Sequence, residues 1–251
     1  GINTYYLFGG LSRNKTADFN NSSIYNVSSV DRTNLTGIVY EGGLLFSSDF
    51  GKNKSVSIAV TYQDNANLDA KRTLLGTTYS FGSSLIIKDT FENVIQNGSV
   101  VIPSKFALGI SYTSDKWLFL ANYYNQNWSK YQLNFENTIE EDNLDNSIYY
   151  SIGAQYTPDH NSHKKYWKKI QYRIGGRQYK TYLNLRNNEL IENSITLGIG
   201  LPHNRTNTFY NFSMEIGESG TTEENLIREQ FLRFNFGVTF KGIWFVKRKY
   251  D

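Results

Sequence analysis

Residues 232–240 alternate strictly between apolar and polar side chains. Side chains of a β-strand point in turn to its two faces, so this period predicts a strand with one apolar and one polar surface. The apolar side chains, which we assign to a lipid-facing surface, are Leu232, Phe234, Phe236, Val238 and Phe240. The pattern recurs along most of the chain without helices to cover the apolar side, which favours a closed β-barrel in lipid over a soluble sheet.

Aromatic residues are abundant, with 19 Tyr and 16 Phe among 251 residues, while the mean hydropathy is only −0.50. This combination suits a barrel with a polar lumen, aromatic girdles at its rims and polar loops. A tyrosine-rich soluble β-sandwich has a similar composition, so composition alone leaves both folds open. The net charge of +3 comes with no concentrated basic face, which argues against a nucleic-acid partner. Cysteine is absent, which excludes disulfides and thiolate metal sites.

We predict an all-β fold, an antiparallel transmembrane β-barrel with about ten visible strands. Each strand is near the roughly nine to eleven residues that a tilted strand needs to cross a bilayer. The strand candidates are Ile2–Arg13, Asn34–Ser48, Ser55–Asn65, 106–112, Trp117–Trp128, 148–156, Ile170–Tyr182, 195–201, 210–216 and Glu229–Phe240. The period is lost over 66–102, where we expect a long excursion with its own hairpin around 79–87.

The connections between these strands alternate in length. Those near Asp49, Thr113 and Pro202 are short and the others are mostly longer, which is typical of a bacterial outer-membrane barrel with its short turns in the periplasm. We therefore assign residues 1–240 to a multi-pass barrel of the bacterial outer membrane, and 241–251 to a basic periplasmic tail. Long extracellular loops are expected at about 14–33, 66–102, 129–145 and 218–228.

Charged side chains lie on the polar side of the last strands, where a barrel would have its lumen. Glu215 and Arg233 are expected to point inward on neighbouring strands, close enough for a diagonal cross-strand contact if Gly217 pairs near Glu229. The lumen-facing polar candidates are Arg173, Arg177, Glu215, Arg233 and Asn235. Such charges either guide a polar head group or form ion pairs with one another, and we favour ion pairing because it satisfies buried charge.

An enzyme needs a nucleophile or an activated water beside a base. The three histidines, His160, His163 and His203, fall at predicted periplasmic turns, which argues against a histidine-based active site. His160 and His163 also lack a third partner at metal-ligand spacing. We therefore expect no enzymatic activity, no metal and no cofactor.

Several segments resemble FadL-like outer-membrane barrels of Bacteroidota. They are Gly200–Pro202, Met214–Gly217, Gly220–Thr222, Asn225–Ile227 and Trp244–Tyr250 in the last third, with Val101–Lys105, Gln126–Trp128 and Gln155–Pro158 before it. The resemblance covers the chain from about Gly37 onward, and its closing segment is the most specific part. The family barrel has fourteen strands and an N-terminal plug, so the resemblance implies that this is the C-terminal portion of a longer barrel. A complete ten-stranded barrel is the structural alternative.

The resemblance implies uptake of hydrophobic small molecules, such as long-chain fatty acids, across the outer membrane, with the surrounding lipids as partners. Related barrels in Bacteroidota also serve as subunits of outer-membrane export and assembly complexes. A non-transporting structural subunit with other complex subunits as partners is therefore the alternative. The two hypotheses differ in the lumen, because transport requires an apolar pocket there. No ligand contact of the family can be placed on a residue of this chain.

Overall fold

The computed structural model describes residues 1–19, 24–81, 85–135, 138–140, 144–160, 162, 165–203 and 208–240. Within them the chain forms fourteen β-strands, three short 3₁₀ helices and no α-helix. The strands are β1 Ile2–Ala17, β2 Asn26–Asp49, β3 Ser55–Gln63, β4 Ala66–Phe81, β5 Leu85–Ile102, β6 Lys105–Thr113, β7 Trp117–Gln126, β8 Gln132–Phe135, β9 Thr138–Glu140, β10 Ser147–Tyr156, β11 Gln171–Leu185, β12 Asn188–Pro202, β13 Thr208–Gly220 and β14 Arg228–Phe240. The 3₁₀ helices lie at Trp128–Lys130, Tyr166–Lys169 and Glu223–Asn225. None of these helices has the length or apolar character that crossing a membrane would take.

The chain divides into two compact units, the first of which contains residues 1–42, 62–105 and 126–144. In this unit β2 pairs antiparallel with β1 and with β4, which in turn pairs with β5. The short strand β8 pairs with the end of β5, and β9 pairs with β8.

The second unit contains residues 43–61, 106–125 and 145–251. Its strands follow the order β14, β13, β12, β11, β10, β7, β6, β3, and then the end of β2. From β10 to β14 each strand pairs antiparallel with the next one along the chain. In this ladder Leu197 lies opposite Met214, which lies opposite Phe234, so the apolar positions of neighbouring strands share one face.

Among the residues that the structure describes, the buried apolar side chains lie in the first unit. Val39, Ala66 and Leu68 form one cluster. Ala70, Val100 and Phe135 form a second, against which Leu35, Tyr131 and Leu133 pack. The residues before and within β8 thus cover one face of β2, β4 and β5. Among the described residues of the second unit no hydrophobic side chain is buried, so its apolar residues build no core of their own.

The all-β antiparallel architecture that the sequence predicts is confirmed. The structure has fourteen strands within its described residues instead of about ten. Over the same residues β14 pairs only with β13, so closure into a barrel stays a prediction.

Two of the predicted long loops contain strands. The hairpin expected around 79–87 is present, since Tyr79 pairs with Ile87 and Phe81 with Leu85. Its strands β4 and β5 extend over the whole of 66–102, and their register shifts between Gly76 and Thr77 and between Thr78 and Tyr79. Each shift comes from an extra residue in β5, Phe91 or Lys88, so the period of two cannot be followed along that strand. Most of 14–33 belongs to β1 and β2, where polar residues occupy both faces and leave no apolar signal.

The remaining predictions concern the loops at 129–145 and 218–228 and the tail 241–251. Part of 129–145 forms the short strands β8 and β9 instead of a loop. With four and three residues, these strands are too short to show a period of two in the sequence. At 218–228, β13 ends at Gly220 and β14 begins at Arg228, so the connection between these strands is 221–227. The predicted tail 241–251 lies outside the described residues. The extracellular placement of the loops stays a prediction.

The close approach of β8 to β5 gives a test of the first unit. A Cβ added at Gly98 would lie 2.1 Å from the backbone oxygen of Asn134 and 2.6 Å from Cδ1 of Phe135. We expect Gly98→Ala to displace β8 and to lower the free energy of unfolding by about 1–3 kcal/mol, the usual cost of overpacking. Urea unfolding and amide hydrogen exchange at Leu133 and Phe135 measure the two effects.

Gly42→Ala is the matched control, because a Cβ at Gly42 meets nothing within 4 Å. We expect it to change the free energy of unfolding by less than about 0.5 kcal/mol. Equal stability of the two variants would contradict the packing of β8 on β5.

Candidate functional site

The ladder from β10 to β14 places polar and charged side chains on one face, which we call the polar face. Its register puts Arg177 opposite Ser194 and Glu215 opposite Arg233. Residues of the polar face, strand by strand, are Ser151, Gly153 and Gln155; Gln171, Arg173, Gly175 and Arg177; Glu192, Ser194, Thr196, Gly198 and Gly200; Asn211, Ser213, Glu215 and Gly217; and Phe231, Arg233 and Asn235. Small residues dominate β12, and long side chains lie on the strands beside it.

Four charged side chains on the polar face form one network. Arg177 crosses over β12, donates from Nε to Oε1 of Glu215 at 2.8 Å, and donates from Nη2 to Oε1 of Glu192. Nη1 of Arg233 lies 3.6 Å from Oε1 of Glu192 and 3.7 Å from Oε2 of Glu215. The hydroxyl of Ser194 donates to Oε1 of Glu215 at 2.7 Å. Two arginines and two glutamates therefore balance. The buried Glu215 accepts hydrogen bonds from Arg177 and Ser194 and forms an ion pair with Arg233.

A glycine and an aromatic ring complete this network. The guanidinium carbon of Arg233 lies 4.0 Å from the centroid of the Phe231 ring, which is within cation–π range. The Phe231 ring lies over Gly217, where an added Cβ would be 2.5 Å from Cζ of Phe231. A larger residue at 217 would therefore collide with this ring.

Arg173 forms a separate cluster with neutral partners. It donates from Nε to Oε1 of Gln155 and from Nη1 to Oδ1 of Asn211, both at 2.9 Å. Nη2 donates to Oε1 of Gln171. The arginine reaches Asn211 on β13 because its neighbour on β12 is Gly198, which has no side chain to block the path.

The opposite face, which we call the apolar face, is exposed along all five strands. On β14 the exposed fractions are 54% for Leu232, 74% for Phe234, 65% for Phe236, 39% for Val238 and 79% for Phe240. Exposed apolar residues on the neighbouring strands are Ile152, Tyr172, Ile174, Ile195, Leu197, Ile199, Tyr210, Phe212 and Ile216. An exposed apolar surface that extends over five neighbouring strands is typical of a contact with lipid or with another protein.

Both mainly apolar depressions of the ladder are lined largely from this face. One of about 920 Å³ lies around Gly176, beside Ile152 and Ile195. The other, of about 510 Å³, is lined by Leu197, Ile199, Phe212 and Phe234 among others. Within the described part of the ladder, the polar face offers glycine, serine and charged groups around Arg173 and Glu215 instead of an apolar pocket.

A third depression, of about 790 Å³, lies at the short turns of the second unit. Nδ2 of Asn53 donates to Oδ1 of Asp115 at 2.7 Å, which joins the turn after β2 to the turn after β6. The backbone N–H of Thr157 donates to the carbonyl of Lys116 at 2.8 Å, which adds the segment after β10. We call this surface the turn platform; charged residues that line it are Asp49, Lys54, Asp115, Lys116, Asp159 and Lys168.

The structure brings together three of the predicted polar candidates, Arg177, Glu215 and Arg233. Arg173 lies on the same face in its own cluster, and Asn235 lies opposite Ser213 outside both clusters. The assignment of this face to a lumen stays a prediction, as does the assignment of Leu232, Phe234, Phe236, Val238 and Phe240 to lipid.

Sequence reasoning missed Glu192 and the amides of Gln155, Gln171 and Asn211. Glu192 was missed because we expected strand 195–201, whereas β12 begins at Asn188. Extending the alternation backwards from Thr196 through Ser194 places Glu192 on the polar face, so the signal was present. Of the histidines, His160 and His203 follow β10 and β12 respectively, and His163 lies outside the described residues. No group of His, Cys, Asp and Glu side chains in the described part of the chain is arranged to hold a metal.

Comparison with known proteins identifies a family and no individual relative. The protein-family model described as BamG matches residues 1–251. A search of curated proteins finds no match. The match covers both units and includes every strand of the ladder.

The charge network predicts a large effect of one neutral substitution. Glu215→Gln keeps the size of the side chain but removes the charge that faces Arg177 and Arg233. We expect the free energy of unfolding to fall by about 2 kcal/mol, the usual contribution of hydrogen bonds to charged groups at a buried position. Thermal or urea unfolding in detergent measures the change.

Glu218→Gln on the same strand is the matched control. Glu218 lies 3.9 Å from Arg228, and both side chains are about half exposed. An exposed pair of this kind contributes little, so we expect a change below about 0.5 kcal/mol. Equal losses in the two variants would show that the network adds no stability beyond a surface ion pair.

Proposed function

Because the chain belongs to the BamG family, we propose that it is a structural subunit of a complex that assembles outer-membrane proteins. The BamG family is related to the BAM complex, and this suggests a role in outer-membrane protein assembly. The observation that carries the proposal is the match over residues 1–251, which leaves no part of the chain outside the family. It favours the subunit hypothesis of the sequence analysis over uptake through a FadL-like barrel.

We propose in addition that the strands form a closed barrel in the outer membrane. A bilayer tolerates only backbone whose hydrogen bonds are paired, and the antiparallel ladder pairs β11, β12 and β13 on both edges. Closure would pair the second edge of β14 as well. The exposed apolar face supports a lipid-facing exterior, and the satisfied charges of the polar face support a lumen. The five alternating apolar residues of 232–240 cover about the length that one tilted strand needs to cross.

Uptake of hydrophobic molecules is the less supported function. A transporter for fatty acids needs an apolar path inside the barrel, whereas the apolar depressions of the ladder are lined largely from the face that we assign to lipid. Catalysis is not proposed either, because Glu192 and Glu215 are paired with Arg177 and Arg233 instead of lying as a base beside a nucleophile.

We propose the turn platform as a docking surface for a polar partner subunit. Hydrogen bonds between neighbouring turns hold it in place, so a partner would meet a surface that costs little entropy to order. Lysine and aspartate side chains both line it, which suits a partner with charges of both signs. Complementary charges of this kind give specificity at a subunit contact.

The lipid-facing assignment can be tested on β14. Phe236 is at the centre of the alternating run 232–240, and Asn235 is its neighbour on the polar face. We expect Phe236→Arg to weaken folding into phospholipid vesicles by about 2–4 kcal/mol, the cost of an arginine at the bilayer midplane. Asn235→Arg, which adds the same side chain on the other face, should cost less than about 1 kcal/mol. Similar losses for both variants would remove the lipid-facing assignment.

The subunit role can be tested by mild-detergent purification from native membranes, followed by mass spectrometry. A stoichiometric set of outer-membrane partners is the expected result, and purification as a lone monomer would contradict the proposal. The double variant Lys54→Glu/Lys168→Glu reverses two charges of the turn platform. We expect it to lower partner recovery by about tenfold, since like charges that face each other at an interface repel.

Lys71→Glu/Lys88→Glu is the control for that double variant. It makes the same change in net charge on exposed residues of β4 and β5 in the first unit. Recovery of partners should stay at the wild-type level. Loss of partners in both double variants would indicate a general charge effect, and the turn platform would then have no special part in docking.

A further inference from the structure

The apolar face of the ladder ends at the same level on all five strands. The last apolar level is a row of residues that pair directly across the strands, Ile152, Gly176, Ile195, Ile216 and Leu232. Two residues further towards the β11–β12 turn, the same face carries a second row, which we call the amide row. Its members also pair directly across the strands and are Tyr150, Gln178, Asn193, Glu218 and Gln230.

A common level of this kind is what a membrane surface imposes on neighbouring strands. In outer-membrane barrels the apolar band ends where the polar head groups begin, and tyrosine is enriched at that level. Tyr150 lies at one end of the amide row, and its ring centroid is 5.2 Å from that of Tyr123 on β7. Because we assign the apolar face to lipid, the amide row lies at the level of the lipid head groups.

A depression of about 920 Å³ crosses from the apolar level to the amide row. It contains Gly176, which has no side chain, between the exposed side chains of Ile152 and Ile195. A Cβ added at Gly176 would meet only the backbone oxygen of Ser194 within 4 Å, at 3.6 Å, so the space beside this glycine is open. All five members of the amide row line the depression as well. It therefore has an apolar part and a hydrogen-bonding part, as an amphiphile requires.

The amides select the kind of head group. A side-chain amide has two N–H donors and one acceptor oxygen, so a row of amides suits a ligand that both donates and accepts. Nε2 of Gln178 donates to Oδ1 of Asn193 at 2.9 Å, which holds these two side chains next to each other. This bond uses one of their four N–H groups and leaves three. Hydroxyl groups match such a surface because each of them donates and accepts.

The charges around the amide row argue against an anionic head group. Glu218 is the only charged member of the row, and its Oε2 lies 3.9 Å from Nη1 of Arg228. Lys180 and Glu189, which lie beyond the row, form an ion pair with each other. A phosphate placed on the row would face the carboxylate of Glu218, whereas a sugar hydroxyl would donate to it. An uncharged head group rich in hydroxyls is thus the best match.

We propose that this depression binds a glycolipid, with an acyl chain beside Gly176 and the sugar on the amide row. The amide row lies towards the connection 221–227, which belongs to a loop that we expect to be extracellular. The leaflet on that side of a bacterial outer membrane consists mainly of glycolipid. The site rests on the proposed lipid-facing exterior and requires no partner subunit.

The test uses the full chain in lauryldimethylamine oxide micelles, with ¹⁵N-labelled asparagine and glutamine. Gln178→Leu and Asn193→Leu identify the two side-chain amide signals by their loss. The probes are dodecyl maltoside and dodecylphosphocholine, which have the same chain and differ in the head group, each added at constant total detergent. We expect dodecyl maltoside to shift both amide signals saturably and dodecylphosphocholine to cause no saturable shift. Equal shifts with both probes, or no saturable shift with dodecyl maltoside, would overturn the proposal.

A larger side chain at Gly176 locates the acyl chain. We expect Gly176→Leu to weaken binding of dodecyl maltoside about tenfold, since leucine would take the space beside this glycine. Ala154→Leu is the matched control, because Ala154 lies one level further into the apolar face, opposite Ile174, and does not line the depression. Binding by this control should equal that of the wild type. Unchanged binding in Gly176→Leu would contradict the proposed position of the chain.

The vesicle experiment on β14 separates failure of this site from failure of the lipid-facing assignment. If Phe236→Arg is costly and Asn235→Arg is not, a negative titration with dodecyl maltoside removes the glycolipid site alone. Similar losses for those two variants would remove the lipid-facing assignment and the glycolipid site with it. Neither result alters the test of the subunit role, which measures the recovery of partner proteins.

Discussion

Antiparallel backbone pairing from β10 to β14 is the constraint on which the site depends. Once the register places Ser194 opposite Arg177 and Arg233 opposite Glu215, all charged side chains of the network share one face. A slip by one residue would move every one of them to the other face. The same register gathers the exposed apolar residues on the opposite side. The charge network and the apolar face are therefore two results of one ladder.

The length of the arginine side chain determines what β12 must contain. Arg177 and Arg173 on β11 both reach acceptors on β13, so their side chains pass over the strand between. Ser194 and Gly198, their partners on β12, are small enough to let them pass. Bulky residues there would separate each arginine from its β13 acceptor and leave buried polar groups without partners, which is costly. The run of small residues on β12 is thus a packing requirement of the two clusters.

The sequence predicts the parts of this chain where alternation is unbroken. It identifies β14, the apolar residues 232–240 and the proximity of Glu215 to Arg233, because a period of two is a direct consequence of strand geometry. It locates the hairpin between β4 and β5 but not the length of these strands, because two extra residues in β5 break the phase. It also misses the polar ends of β1 and β2. It also omits Glu192, since the strand start was placed too late. The partners of Arg173 could not be predicted, because glutamine and asparagine on a strand carry no sign of which arginine they will contact.

The two units differ in the exposure of their apolar side chains, and this difference bears on function. In the first unit Tyr131, Leu133 and Phe135 cover the face of β2, β4 and β5, and a small core results. In the second unit the described apolar residues stay uncovered, while the polar face is crossed by arginines over glycine and serine. A transporter of hydrophobic molecules would need the reverse, with apolar residues lining the interior. The proposed subunit role requires no apolar interior, and it is compatible with the exposed apolar face and the paired charges of the second unit.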